Sequence, residues 1–261
     1  MLPPAAYAQR PLFEPLATLL ARCPSGIPDA GALTALLRSV APQAVSGSGH
    51  PLGFVLPPAD LEGYEDHIDA TGEVPTRPGD WHDFFNALAW CCWPRTKAAC
   101  NALHLQEIAR RRAAGLSGRG PLRDALTQFD ECGVLVVSAD PDLPALLVAH
   151  AWEEVFWRQR QRLLDSTRFL IFGHASWDQL RTPFVGLCAK ALYRVVEPAW
   201  LQLSVAEQLA EADAWLARRL TSQPFGKTDL APLPLLGVPG VTPDSEDPAY
   251  YRDTRQFRPR R

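Results

Sequence analysis

Asp80-Trp81-His82-Asp83-Phe84-Phe85-Asn86-Ala87-Leu88-Ala89-Trp90-Cys91-Cys92-Trp93-Pro94 is the stretch on which the fold turns. Asp80 stands where a helix N-cap belongs, and apolar residues then surround the axis on nearly every side as far as Trp93. A helix that is apolar all round is a buried helix. Its polar members, His82, Asp83 and Asn86, must therefore find partners inside the protein or carry a cost. His82 and Asn86 are four apart and share a face. Pro94 interrupts the pattern, and a second helix is expected from Arg95 to about Ala114, making a helical hairpin or a sharply kinked helix. Asn101 and His104, three apart on that second helix, can turn toward His82 and Asn86.

Upstream, Leu16, Leu19 and Leu20, then Leu33, Leu36, Leu37 and Val40, give two short helical patterns within an N-terminal segment of residues 1–50. Ser46-Gly47-Ser48-Gly49 breaks the chain. Leu52 to Pro58 reads as extended, Tyr64 to Ile68 as a helical turn, and Val74 to Gly79 as a stiff loop. Downstream, Ala125–Phe129 and Val134–Ser138 flank Asp130-Glu131-Cys132-Gly133 and predict a β-hairpin. Asp140-Pro141 opens a long helix with Pro144 in its first turn. Arg168–Phe172 predicts a strand ending at Gly173-His174, and helical patterns run from Trp177 to Val196 and from Val205 to Leu220. Residues 51–220 thus form the main domain, and 221–261 an extended tail packed on it. The fold class is α+β, a mainly helical single domain with a small sheet built from a hairpin plus one or two strands.

The 261 residues are 47% hydrophobic and 21% charged, enough apolar side chain for a core and unlike a disordered chain. With 26 basic and 29 acidic residues the net charge is −3, which gives no strong nucleic-acid signal. No apolar run approaches the ~18 residues of a membrane span, and the first residues lack the pattern of a secretory signal. A soluble cytoplasmic protein is the expectation. The six cysteines include no C-x-x-C pair, so reduced thiols in the core are expected rather than a zinc finger or disulfides.

The polar residues that the helices bury are the candidate site. His82, Asp83, His104 and Asp130 have the chemistry of an acid–base or metal-assisted centre, with Asp83 able to fix an imidazole tautomer. His82, His104 and His174 are candidate ligands for a divalent metal. His174 follows a glycine that allows close approach. Arg95, Arg119 and Arg123, helped by Asn86 and Asn101, are candidates for holding a small anionic substrate. Thr96-Lys97 at a helix start is a second anion site. Each has a plainer role as well: Asp83 as a first-turn carboxylate, His82 and His104 as hydrogen-bonded core histidines, and Asp130 as a turn former. No Walker A, dinucleotide fingerprint, G-x-S-x-G elbow or H-E-x-x-H occurs.

Several blocks together carry a resemblance: Val74-Pro75-Thr76-Arg77, Trp81 to Asn86, Pro94-Arg95-Thr96-Lys97, Asn101-Ala102-Leu103-His104, and Arg119 to Ala125. Phe129-Asp130-Glu131, Gly173-His174-Ala175, Pro234 to Pro239 and Phe257-Arg258-Pro259-Arg260-Arg261 continue it. From about Phe54 onward the chain resembles a bacterial family catalogued as domain of unknown function 3025. The resemblance implies a single domain in which these blocks are typical, and so favours a shared site. Three readings follow. The first is a metal-assisted or acid–base hydrolase of an anionic substrate. The second is a non-catalytic module binding an anion or partner, and the third a structural protein whose polar cluster specifies packing.

Overall fold

A computed structural model describes residues 2–224, 226 and 229–260. Helices α1 (Ala17–Ala21) and α2 (Ala30–Val40) form the N-terminal segment, with Asp29 capping α2 through Ala32 N–H at 2.8 Å. Strand β1 (Gly53–Val55) pairs in parallel with β2 (Glu73–Pro75) across helix α3 (Tyr64–Thr71), so the stiff loop expected at Val74 begins as a strand.

Helix α4 (Trp81–Cys92) is capped by Asp80, whose side chain accepts from Asp83 N–H, and its residues from Phe84 to Cys91 are buried. Trp93 alone separates it from α5 (Pro94–Ala113), because the residue before a proline is pushed out of the helical region. The break is a kink, and a sharp one. In a straight helix Asn86 and Lys97 would lie about 16 Å apart along the axis. Here Lys97 Nζ donates to Asn86 Oδ1 at 2.8 Å.

The expected hairpin at 125–138 is corrected by α6 (Pro121–Cys132), which runs directly into β3 (Gly133–Ser138). Leu122, Ala125, Leu126 and Phe129 carry the helical period, the last three are buried, and Pro121 sits at the first position, where its fixed φ suits a helix. The long helix expected from Asp140 is three pieces: α7 (Asp142–Val148), a π-helical turn at Glu154–Arg158, and α8 (Arg160–Ser166). His150, at φ 59°, makes the first break. The helical pattern over Trp177–Val196 is also corrected. After β4 (Thr167–Ile171), helix α9 (His174–Leu180) stops ahead of Pro183, and β5 (Cys188–Val195) takes the rest.

The main sheet has the order β4-β3-β5-β6, with β3 antiparallel to β4 and parallel to β5. Every residue of β3 is buried, the expected state of a central strand of Val and Leu. Helix α10 (Val205–Ser222) carries a complete capping box at Ser204 and Glu207 and packs along α5. The tail then supplies β6 (Ala231–Pro234), an edge strand that tolerates two prolines because only one side of it is paired. Leu233, Leu235, Tyr251 and Phe257 of this tail join the same core cluster as Leu16 and Leu33 of the N-terminal segment. Arg261, the last residue of the basic tail motif, lies outside the described residues. Among the described residues no helix is long and apolar enough to cross a membrane. All six cysteines are free thiols, Cys188 exposed and Cys23, Cys91 and Cys100 buried.

Candidate metal centre

Three element ends converge: the first turn of α4, the last turn of α6 and the first residue of α9. They bring together His82, Glu131 and His174, each with one ligand atom within 4.8 Å of the others. His82 Nε2 faces His174 Nε2 at 3.0 Å, with the rings at 67°. Glu131 Oε2 lies 3.8 Å from His174 Nε2 and 4.0 Å from His82 Nε2. Three donors each bound to one Zn2+ at tetrahedral angles lie about 3.4 Å from one another. The three groups therefore reach that arrangement with movements of a few tenths of an ångström. As they stand, one imidazole donates its Nε2–H to the other.

The close approach comes from two glycines. A Cβ on Gly173 would sit 2.3 Å from Gly133 N and 2.4 Å from Cys132 N, so only glycine lets the β4–α9 turn lie on the α6–β3 junction. Gly133 O accepts from Phe172 N–H and Gly173 N–H, both at 2.9 Å, and fixes the register. Glu131 and His174 are next to that junction in sequence.

His174 is buried, while the side chains of His82 and Glu131 are 36% and 42% exposed, which leaves one side of the group open to water. Burial holds the His174 imidazole down to about 3, although nearby Asp130 opposes this, so the ring is neutral. Its Nδ1 has no hydrogen-bond partner and faces Asp130 Oδ2 at 3.8 Å. A carboxylate beside the second nitrogen is how protein sites orient an imidazole ligand. Burial raises the Glu131 carboxyl, with His82 countering it. Asp130 is held by Lys97, whose Nζ donates to Oδ1 at 2.6 Å; burial opposes ionisation, but the ammonium leaves its carboxyl below the usual range.

The other expected site residues fall elsewhere. Asp83 does not orient an imidazole: its carboxylate accepts from Arg77 N–H, Nε and Nη2 at 2.7, 2.8 and 2.8 Å. Asn86 is committed on both sides, accepting from Lys97 and donating to Tyr64 Oη at 3.1 Å. Asn101 donates to Glu65 Oε2 at 2.7 Å, and its Oδ1 is buried without a partner. The N-terminus of α5 is filled from within the chain, because Asp213 Oδ1 and Oδ2 accept from Thr96 N–H and Arg95 N–H at 2.8 and 3.1 Å. That removes the second anion site expected there, and the Arg95 side chain lines a separate cavity. Arg119 is exposed, donating to Thr127 Oγ1 at 2.5 Å, while Arg123 buries an unpartnered Nε.

His104 is not in the ligand group; Glu131 fills that place. It lies buried where Asp130, Arg123, Arg119 and Lys97 all act on it, and burial pushes its imidazole down to about 4. An unfolded chain takes up this proton near pH 6.5, but the native one waits until about 4. Falling pH therefore favours unfolding across that window, by up to about 3 kcal/mol, and above it the residue has no effect. In urea unfolding, the wild type is expected to lose about 2 kcal/mol more than His104→Gln between pH 7 and about pH 4.5. Equal losses would sink this assignment.

The family model described as "Protein of unknown function (DUF3025)" matches residues 52–261. The chain belongs to this family. All three members of the His82, Glu131 and His174 group lie inside the matched region, whereas α1 and α2 precede it. No curated protein and no solved structure matches the chain.

Glu131 is the site residue that sequence reasoning left unassigned. The signal was available once α6 is read as a helix. Asp130 and Glu131 put two carboxylates in its last turn, where the helix dipole disfavours negative charge. Such placement needs nearby cations or donors, here Lys97 and the two histidines.

Proposed function

We propose that the protein is a metal-dependent hydrolase in which His82, Glu131 and His174 hold one divalent transition ion. The observation that carries this reading is the gathering of those three ligand atoms within 4.8 Å. Two imidazoles and one carboxylate make a three-ligand set that leaves a position open, the pattern of catalytic rather than structural zinc. An ion held there supplies a water of lowered pKa and polarises a carbonyl or phosphoryl oxygen. Asp130, held by Lys97, stands 3.8 Å from His174 Nδ1 and would orient the ring on closing that gap. The substrate is a small anion-bearing ester or amide. Arg123 and Glu131 are both on α6, with backbones about 12 Å apart along its axis, a gap the Arg123 side chain can shorten, so an anionic group meeting Arg123 is set apart from the bond that is cleaved. A reducing cytoplasmic setting suits the six free thiols.

The test is metal content of the purified protein together with thermal unfolding in Zn2+, Mn2+ and Fe2+, since the donor set suits each. Saturation by the resident ion is expected to raise the Tm by about 5–10 °C. Glu131→Gln and His174→Ala are expected to lose that rise together with hydrolysis of chromogenic phosphate and carboxylate esters. An equal rise in both variants would overturn the site. An ion bound in stoichiometric amount without turnover of any anionic ester would leave a binding module.

A further inference from the structure

A cavity of about 710 Å³ that shares no lining residue with the His82, Glu131 and His174 group lies among the N-terminal segment, the α4–α5 kink and α10. Its walls are largely apolar, Leu19, Val40, Val45 and Leu209 among them. Val40 and Val45 are 45% and 42% exposed, placing large hydrophobic side chains in contact with water at this hollow. Protein pockets for small molecules span ~300–1,000 Å³ and carry few polar groups. Three charged residues line this one. Asp213 is spent on the amides of α5 and on Thr96 Oγ1 at 2.7 Å. Glu14 and the exposed Arg95 are the other two, and Arg95 is the cation among the three: its guanidinium makes no hydrogen bond or ion pair with any described residue, although its charge steadies the Asp213 carboxylate, so it is the group able to meet a ligand's carboxylate.

We propose that this cavity binds an amphiphile with a hydrocarbon chain and a single carboxylate, the chain covering Val40, Val45 and Leu209 and the carboxylate meeting Arg95. The site is divided between two parts of the protein. Arg95 and α10 lie within the family-matched region, and the opposing wall, residues 14–19 and 40–46, precedes it. The ligand thus needs this N-terminal segment as well as the family region, and no residue lining its site belongs to the metal group.

Calorimetric titration of the full chain with dodecanoate, dodecanol and dodecyltrimethylammonium, each below its micellar concentration, tests the proposal. Dodecanoate is expected to bind tightest and the ammonium weakest. Arg95→Glu is expected to weaken dodecanoate about tenfold, the loss of one charge-assisted contact, and to leave dodecanol nearly unchanged. Ala210→Trp, at an exposed position of α10 that lines the cavity, is expected to abolish binding of both without disturbing the core. Absence of dodecanoate binding would overturn the proposal. So would an ammonium bound as tightly as the carboxylate, or affinities that neither variant changes.

Discussion

Lys97→Met is expected to lower the free energy of unfolding by about 3–5 kcal/mol, the usual consequence of leaving one charge of a buried pair behind. Lys97 is 5% exposed and its ammonium donates to Asp130 Oδ1 at 2.6 Å and Asn86 Oδ1 at 2.8 Å. It also lies 5.4 Å from the centre of the Trp90 ring. Methionine fills the volume of the stem but leaves the Asp130 carboxylate, the Asn86 oxygen and the ring without their cation. The net worth of the intact pair is much smaller than this loss, because desolvation offsets much of the attraction. For the same reason Lys97→Met combined with Asp130→Asn is expected to recover roughly half of it, since no unpaired charge remains. Urea unfolding of the single and double variants measures both quantities. A loss below about 1 kcal/mol for Lys97→Met would show that water already reaches the pair.

Gly173→Ala is expected to cost at least about 4 kcal/mol, in the exceptional range for one substitution. The added carbon meets Gly133 N at 2.3 Å, Cys132 N at 2.4 Å and Cys132 Cα at 2.5 Å. All three are main-chain atoms at the α6–β3 junction, so no rotamer change relieves the collision. The β4–α9 turn must lift, breaking the two hydrogen bonds to Gly133 O. Because His174 and Glu131 flank this contact, folded Gly173→Ala protein is also expected to bind Zn2+ at least ~10-fold more weakly. Gly226→Ala serves as the control, because no described residue lies within 4 Å of the corresponding carbon there. Denaturant midpoints of the two variants and a zinc titration of whatever folds decide the matter. A Gly173→Ala protein with native stability would mean that the junction is looser than these distances state.

Helix α4 could be read from the sequence because its signal is local. Asp80 offers a side-chain acceptor to the first turn, and the apolar residues surround the axis regardless of what packs against them. Pro94 likewise dictates its own kink, and Ser204 with Glu207 caps α10. Residues 125–138 were harder. Ala125, Leu126 and Phe129 before a glycine satisfy a short strand or a buried helix equally, and only their i, i+3, i+4, i+7 spacing with Leu122 separates the two. Residues 188–195 show the same ambiguity: their alternation is imperfect because both faces of β5 are partly covered.

The candidate site divides along the same line. His82 and His174 stood out as polar groups inside apolar or glycine-flanked surroundings, a property of each residue's own neighbourhood. That they meet, and that Glu131 joins them in place of His104, could not be read there. It depends on β4 pairing antiparallel to β3 and on a bare Cα at Gly173, contacts among residues up to ninety-two positions apart. The fates of Asp83, Asn86 and Asn101 were likewise decided by Arg77, Tyr64, Lys97 and Glu65, which the folded chain delivers to them. By itself, then, the sequence determined where α4 starts and where Pro94 bends the chain, because backbone sterics and apolar periodicity act over a few residues. Tertiary structure alone decided which buried groups are neighbours, because a partner's distance is set by the packing of whole elements.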